Sequence, residues 1–150
     1  MQKTKFEQCH LCGEITKLTH EHVPPQKAFN AHQVFLYWGK DIIGREKFPW
    51  DFSGLKGKQH QGGVGWRTLC AKCNNDTGGW YAPAFIEFTY QGFKRYKELL
   101  DNKRLINKGQ FEISFGKIYP LRIIKQIITM FFSINNPNLS TIHLIEQKER

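Results

Sequence analysis

All four cysteines of the chain fall in two C-x2-C pairs, Cys9-His-Leu-Cys12 and Cys70-Ala-Lys-Cys73, and Thr19-His-Glu-His-Val-Pro-Pro25 lies between them. Two residues between paired thiolates allow a tight turn to aim both sulfurs at one ion, and Zn2+ takes four such ligands in a tetrahedron. Each pair is followed at once by a turn-forming residue, Gly13 or Asn74. A C-x2-C can also be a redox dithiol, but that motif opens a helix after a strand in a βαβ unit. Here Cys9 follows a short polar leader and Cys12 precedes a glycine. Two disulfides are the other reading. They belong to oxidising compartments, and Met1–Gln8 is polar and charged, unlike a secretory leader. A shared zinc site of all four cysteines, in a cytoplasmic chain, is therefore expected.

At 150 residues the chain fits one domain, or a zinc-stapled module with a helical extension. Its formal charge of +9 favours a polyanionic partner, because basic side chains that meet phosphates release condensed counterions. The longest apolar stretch, Leu121 to Ile134, is interrupted by Arg122, Lys125 and Gln126, so no membrane span is expected.

Taken in order, Glu14 to His20 suits a short strand that delivers Glu21 and His22 to its end, and Val23-Pro24-Pro25 must then leave it. Val34 to Trp38 reads as a strand and Asp41 to Pro49 as a polar connection. Gly54 to Gly65 reads as a flexible basic loop whose Lys56, Lys58 and His60 can track a phosphate backbone. Trp66 to Leu69, which carries Arg67, is a second short strand running into the second cysteine pair. After Asn74 to Gly79, Tyr81, Phe85, Phe88, Phe93, Tyr96 and Leu100 recur at helical spacing and are expected in the core, with Pro83 in the first turn. Phe111 to Phe115 alternates like a strand. Pro120 opens a second helix in which Arg122, Gln126, Thr129 and Ser133 form one polar stripe, and the broad apolar remainder is expected to be buried. Asn135-Asn-Pro137 ends that helix, and the weak pattern from Asn138 to Arg150 suggests the front part of a longer protein.

If the two cysteine pairs share one ion, the strand ending at Glu21-His22 and the segment beginning at Asn74 are drawn together. A carboxylate, an imidazole and an amide then converge. Oxygens of Glu21 and Asn74 can hold a hard divalent cation while the His22 ring stays free as a base. His20 lies on the opposite strand face from Glu21 and can share the His22 face as a substrate contact. His10 reads as filler between cysteines.

The order C-x2-C, acidic-His-Val-x-Pro, Leu-Cys-x2-Cys-Asn resembles the zinc-knuckle branch of the HNH nucleases, also called the ββα-metal or His-Me finger fold. The match covers Cys9 to Pro25 and Leu69 to about Tyr81. The resemblance implies an α+β fold: a ββα-metal zinc-knuckle core over residues 1–83, with an insertion at about 26–65 between its two strands and a helical C-terminal extension over 84–150. It implies that Cys9, Cys12, Cys70 and Cys73 hold structural Zn2+, that Glu21 and Asn74 hold catalytic Mg2+ or Mn2+, and that His22 is the general base of an endonuclease. DNA is the implied substrate, with RNA open, and Lys56, Lys58, His60 and Arg67 are candidate nucleic-acid contacts. The family's middle asparagine has no counterpart in Gly62 to Leu69, so another group must orient the His22 loop. The rival readings are a zinc-stabilised nucleic-acid-binding module without cleavage and a zinc-stapled protein-interaction domain. Metal-dependent nicking that requires His22 separates the first reading from both.

Overall fold

The computed structural model describes residues 6–37, 39–43, 45–48, 51–101 and 113–135. The first cysteine pair is the loop of a hairpin. Strand β1 (Phe6–Gln8) runs antiparallel to β2 (Ile15–His22), with Phe6 opposite Lys17 and Gln8 opposite Ile15. The connecting turn is closed by Cys9 N–H donating to the Glu14 carbonyl at 2.8 Å and Gly13 N–H to the Cys9 carbonyl at 2.9 Å. Gly13 sits at φ +80°, a left-handed conformation that glycine adopts without Cβ strain. The expected polar leader thus contains a strand, and residues 1–5 lie outside the described residues.

The other edge of β2 pairs antiparallel with a late strand, which the structure extends to Gly65–Cys70. In between come β3 (Val34–Leu36), the single turn α1 (Gly39–Ile42) and β4 (Lys58–His60). The late strand is therefore β5, and the central sheet has the order β1-β2-β5. Its register slips between Thr19 and His20: Thr19 faces Leu69 and His20 faces Arg67, so Thr68 is the extra residue of a bulge. Both ends of the intervening excursion meet where Val23 N–H donates to the Val64 carbonyl at 3.0 Å.

Cys70 ends β5 and caps the next helix, α2 (Ala71–Trp80), its sulfur accepting from Cys73 N–H. Two long helices follow: α3 (Ala82–Asp101) and α4 (Pro120–Ile134), the latter packed on α3, β5 and α2. Buried Cys9, Leu18, Leu69 and Cys70 form the apolar centre, with Cys73 against it. The strands and helices make a mixed α+β fold, and among the described residues its apolar centre is small and built around the cysteines themselves, where a metal could act as a staple.

Several local expectations give way. Lys58–His60 is no loop: it pairs antiparallel with β3, Val34 opposite His60, giving a second sheet. The Asp41 to Pro49 connection overlaps α1, and the turn expected after Cys73 is already helical from Ala71 because the Cys70 cap starts α2 earlier. Phe111 and Glu112 lie outside the described residues, as does Asn138 to Arg150, and Ile113 to Phe115 is not a strand. The α3 aromatics are not a sealed core. Phe93 and Tyr96 are each more than half exposed, and Phe29 and Phe115 contact the helix at Tyr90, Phe93 and Phe88.

The largest reversal is on α4. Its buried residues are Ile123, Gln126, Thr129 and Ser133, whereas Leu121, Ile124, Ile128, Phe131 and Ile134 are exposed. Gln126, Thr129 and Ser133 of the polar stripe face inward, where Ser133 meets Thr68 and Glu21, whereas Arg122 of the same stripe is exposed. His10, expected as filler, is one tie: its Nδ1 donates to the carbonyls of Ser133 at 3.0 Å and Phe132 at 3.3 Å. It satisfies carbonyls that the last turn of a helix leaves without partners.

Candidate metal and catalytic centre

The four cysteine sulfurs all lie within 4.8 Å of one another, and Cys12 Sγ and Cys70 Sγ are 3.9 Å apart. A tetrahedral ion with bonds of about 2.3 Å requires sulfurs about 3.8 Å apart. The cluster can hold a metal ion, and its dimensions suit zinc. The polypeptide prepares it: Cys70 N–H donates to Cys9 Sγ at 3.3 Å and Cys73 N–H to Cys70 Sγ at 3.4 Å. Burial alone would raise the Cys9 thiol, but backbone N–H groups of Cys12, Cys70 and Leu11 overcome it and bring the pKa to about 7. Cys73 is driven the other way by burial, by its hydrogen bonds to Cys70 and Cys12, and by the Cys9 charge. Four thiolates this close need a cation to ionise together.

From this cluster β2 runs to Glu21 and His22 and α2 starts toward Asn74. All three line one cavity of about 210 Å3, with His20, Gln126 and Thr129 also in its wall. The convergence expected from the cysteine spacing is thus present in the fold. Lys56, Lys58, His60 and Arg67 do not line this cavity. Lys58 and His60 stand on β4, Lys56 is exposed just before it, and exposed Arg67 faces His20 across the β2–β5 ladder.

Glu21 is 8% exposed, unusual for a carboxylate unless it is held. Thr68 Oγ1 and Ser133 Oγ both donate to its Oε1, and no described donor reaches Oε2. The bulge turns Thr68 to this position, so the sheet irregularity and the polar end of α4 together orient one carboxylate. Burial raises the pKa of Glu21 above the usual carboxylate range, against the opposing pull of both hydroxyls and the His10 charge. A cation at Oε2 would reverse that shift.

Asn74 is oriented through its nitrogen. Nδ2 donates to Thr19 Oγ1 at 3.0 Å and to the His20 carbonyl at 3.2 Å, which leaves Oδ1 without a described donor. Both residues line the cavity and each keeps one oxygen without a described donor, so Glu21 and Asn74 are the residues that could hold a hard cation there.

His22 Nε2 lies 3.1 Å from the Gly62 carbonyl. A carbonyl only accepts, so Nε2 carries the proton and Nδ1 of the neutral ring is left as a base. The His20 and His22 rings meet edge to face at 4.9 Å, on the shared face expected from the strand period. Burial first, then the charges of His22 and Arg67, lower the His20 pKa.

Asn30 is the group that sequence reasoning missed. It is buried, its Nδ2 donates to the carbonyls of Pro24 at 2.6 Å and Val64 at 2.7 Å, and its Oδ1 accepts from Val64 N–H at 2.7 Å. It fastens the turn after His22 to the segment that carries Gly62. Gly63, at φ +93°, is pressed against the Asn30 backbone and amide where a Cβ has no room. Gly65 is equally confined: a Cβ there would lie 2.6 Å from the His20 ring and against the Glu21 carbonyl. Those glycines are the signal that was available, since they mark close backbone approach and not only a flexible loop.

No protein-family model, curated protein or solved structure matches this chain.

Proposed function

We propose that the chain is a metal-dependent endonuclease of the HNH type, hydrolysing phosphodiester bonds in DNA, with a ββα-metal core made of β2, β5 and α2. The observation that carries this reading is His22, its Nε2 committed to Gly62 and its ring in the same cavity as Glu21 and Asn74. In the proposed reaction His22 Nδ1 takes a proton from the attacking water, within reach of a phosphate seated in the cavity. Glu21 and Asn74 would hold the cation through their oxygens that lack a described donor, and the Thr68 and Ser133 hydroxyls keep the Glu21 carboxylate in place. Mg2+ or Mn2+, when bound, supplies positive charge to the pentacoordinate phosphate and the departing 3′ oxygen. Product would carry a 5′ phosphate. The four-cysteine site is read as structural zinc that fixes β2 against α2.

The net charge of +9 supports a nucleic-acid substrate. Basic side chains beside exposed rings add to it: Lys117 and Arg122 each lie 5.4 Å from the Tyr119 ring. Such pairs serve phosphate contact and base stacking together. In this reading Lys56, Lys58, His60 and Arg67 are outer contacts of the strand.

The test is nicking of supercoiled plasmid by zinc-loaded protein with Mg2+ or Mn2+. The native protein should nick, and His22→Ala should lose about two or more orders of magnitude, the usual worth of a general base. Equal nicking by His22→Ala would refute the assignment. Salt-dependent binding without cleavage under any divalent ion would support the nucleic-acid-binding module instead.

A further inference from the structure

The inward polar residues of α4 include one buried amide oxygen without a partner among the described residues. Ser133 is engaged with Glu21, and Thr129 Oγ1 donates to the Lys125 carbonyl of its own helix at 2.9 Å. Gln126 lies two turns before Ser133 on the same face. It is only 6% exposed and lines the cavity of Glu21, His22 and Asn74. Its Oε1 is the one buried side-chain polar atom among the described residues with no hydrogen-bond partner.

A buried acceptor without a donor costs about 1–3 kcal/mol. A leucine or methionine, in keeping with the rest of this helix, would avoid that penalty. The oxygen therefore calls for a partner that the described residues do not supply. Glu21 and Asn74, which line the same cavity, each also keep a side-chain oxygen, Oε2 and Oδ1, without a described donor. Acceptor oxygens without donors suit a hard cation whose remaining positions are filled by water, and amide carbonyls serve beside carboxylates in such sites. The cavity of about 210 Å3 has room for an ion and several waters.

We infer that Gln126 Oε1 is a third protein oxygen ligand of the divalent cation, beside Glu21 and Asn74. The inference rests on the cation reading proposed above and extends it. It makes α4 part of the metal site, and it accounts for the helix turning its polar side inward while its apolar side faces out.

The experiment reads metal binding without nucleic acid. Zinc-loaded protein is titrated with Mn2+, free Mn2+ is followed by electron paramagnetic resonance, and a thermal melt accompanies each variant. Gln126→Met conserves volume and removes the orphaned oxygen, so its melting temperature should hold or rise. Its Mn2+ affinity should fall at least about tenfold, since even removing an outer partner of a metal ligand does that. Gln126→Glu keeps an oxygen and adds charge, and it should bind Mn2+ at least as tightly as the native protein. Equal affinity in the native protein and both variants overturns the inference while leaving Glu21 and Asn74 as ligands. Failure of the native protein to bind Mn2+ beyond its zinc overturns the inference and the cation reading together.

Discussion

Asn30 holds the Val64 peptide from both sides, accepting from its N–H and donating to its carbonyl, each at 2.7 Å. Val64 lies between the glycine turn that engages His22 and the start of β5, so this clasp sets where the imidazole sits. Asn30→Ala should remove three part-buried hydrogen bonds and cost about 2–4 kcal/mol, allowing about 1 kcal/mol for each with an added penalty for stranded groups. Asn30→Asp retains the acceptor and loses the donor, and should fall between native and Ala. Denaturant melts measure the stability, and a loss of plasmid nicking larger than the loss of folded protein would show that His22 has lost its orientation.

The cysteine cluster should bind about one zinc per chain, by ligand count. Part of that binding energy is folding energy, because the unfolded chain has no preformed tetrahedron. A strong chelator at neutral pH should lower the melting temperature sharply, and reductant alone should not. Cys73→Ser should depress stability and activity together, since it loosens the segment that carries Asn74. Metal analysis with calorimetry checks both, and unchanged stability after zinc removal would dismiss the staple.

Glu21 gives stability a definite pH slope. Its folded pKa is raised, so between the ordinary carboxylate range and the folded value the native state binds more protons than the unfolded state. Stability of zinc-loaded protein without other divalent ions should therefore fall as pH rises through that window. Below the ordinary range both states are protonated and this contribution is flat. His10, Thr68 and Ser133, which face the carboxylate, limit the size of the effect. Glu21→Gln should flatten the slope, as read by denaturation curves over the acid range.

His10 joins the first cysteine turn to the last turn of α4. His10→Ala should destabilise the protein by about 1 kcal/mol, the usual size for a lost hydrogen bond or helix-end contact. Zinc content should stay the same, because the neighbouring thiolates are untouched. Loss of zinc in parallel would instead mean that the ring serves the metal site itself.

What could be read along the chain was local. Paired cysteines, a strand ending on Glu21-His22, the strand before Cys70 and helices opened by Pro83 and Pro120 all follow from short-range rules, and the convergence of Glu21, His22 and Asn74 followed from the cysteine spacing. Contacts between distant residues left little trace. Asn30 is separated from Val64 by an excursion whose own pattern is mixed, and Thr68 reaches Glu21 only because a bulge shifts the ladder. The α4 stripe of Gln126, Thr129 and Ser133 was visible, but its direction was not. Apolar faces ordinarily turn inward, and that rule yields here to a buried carboxylate and a polar cavity.

Val23 and Val64 are joined by a backbone hydrogen bond at 3.0 Å, so the long excursion between β2 and β5 leaves and returns at the same point. Loop closure depends only weakly on length, at about 0.6 kcal/mol for each doubling. Everything beyond the Asn30 clasp, including β3, α1 and β4, can therefore lengthen, shorten or be exchanged with little disturbance to the cavity. Such an arrangement separates the cavity of Glu21, His22 and Asn74 from a part of the chain free to diversify, and a new recognition surface could be grafted there while those three residues stay where they are.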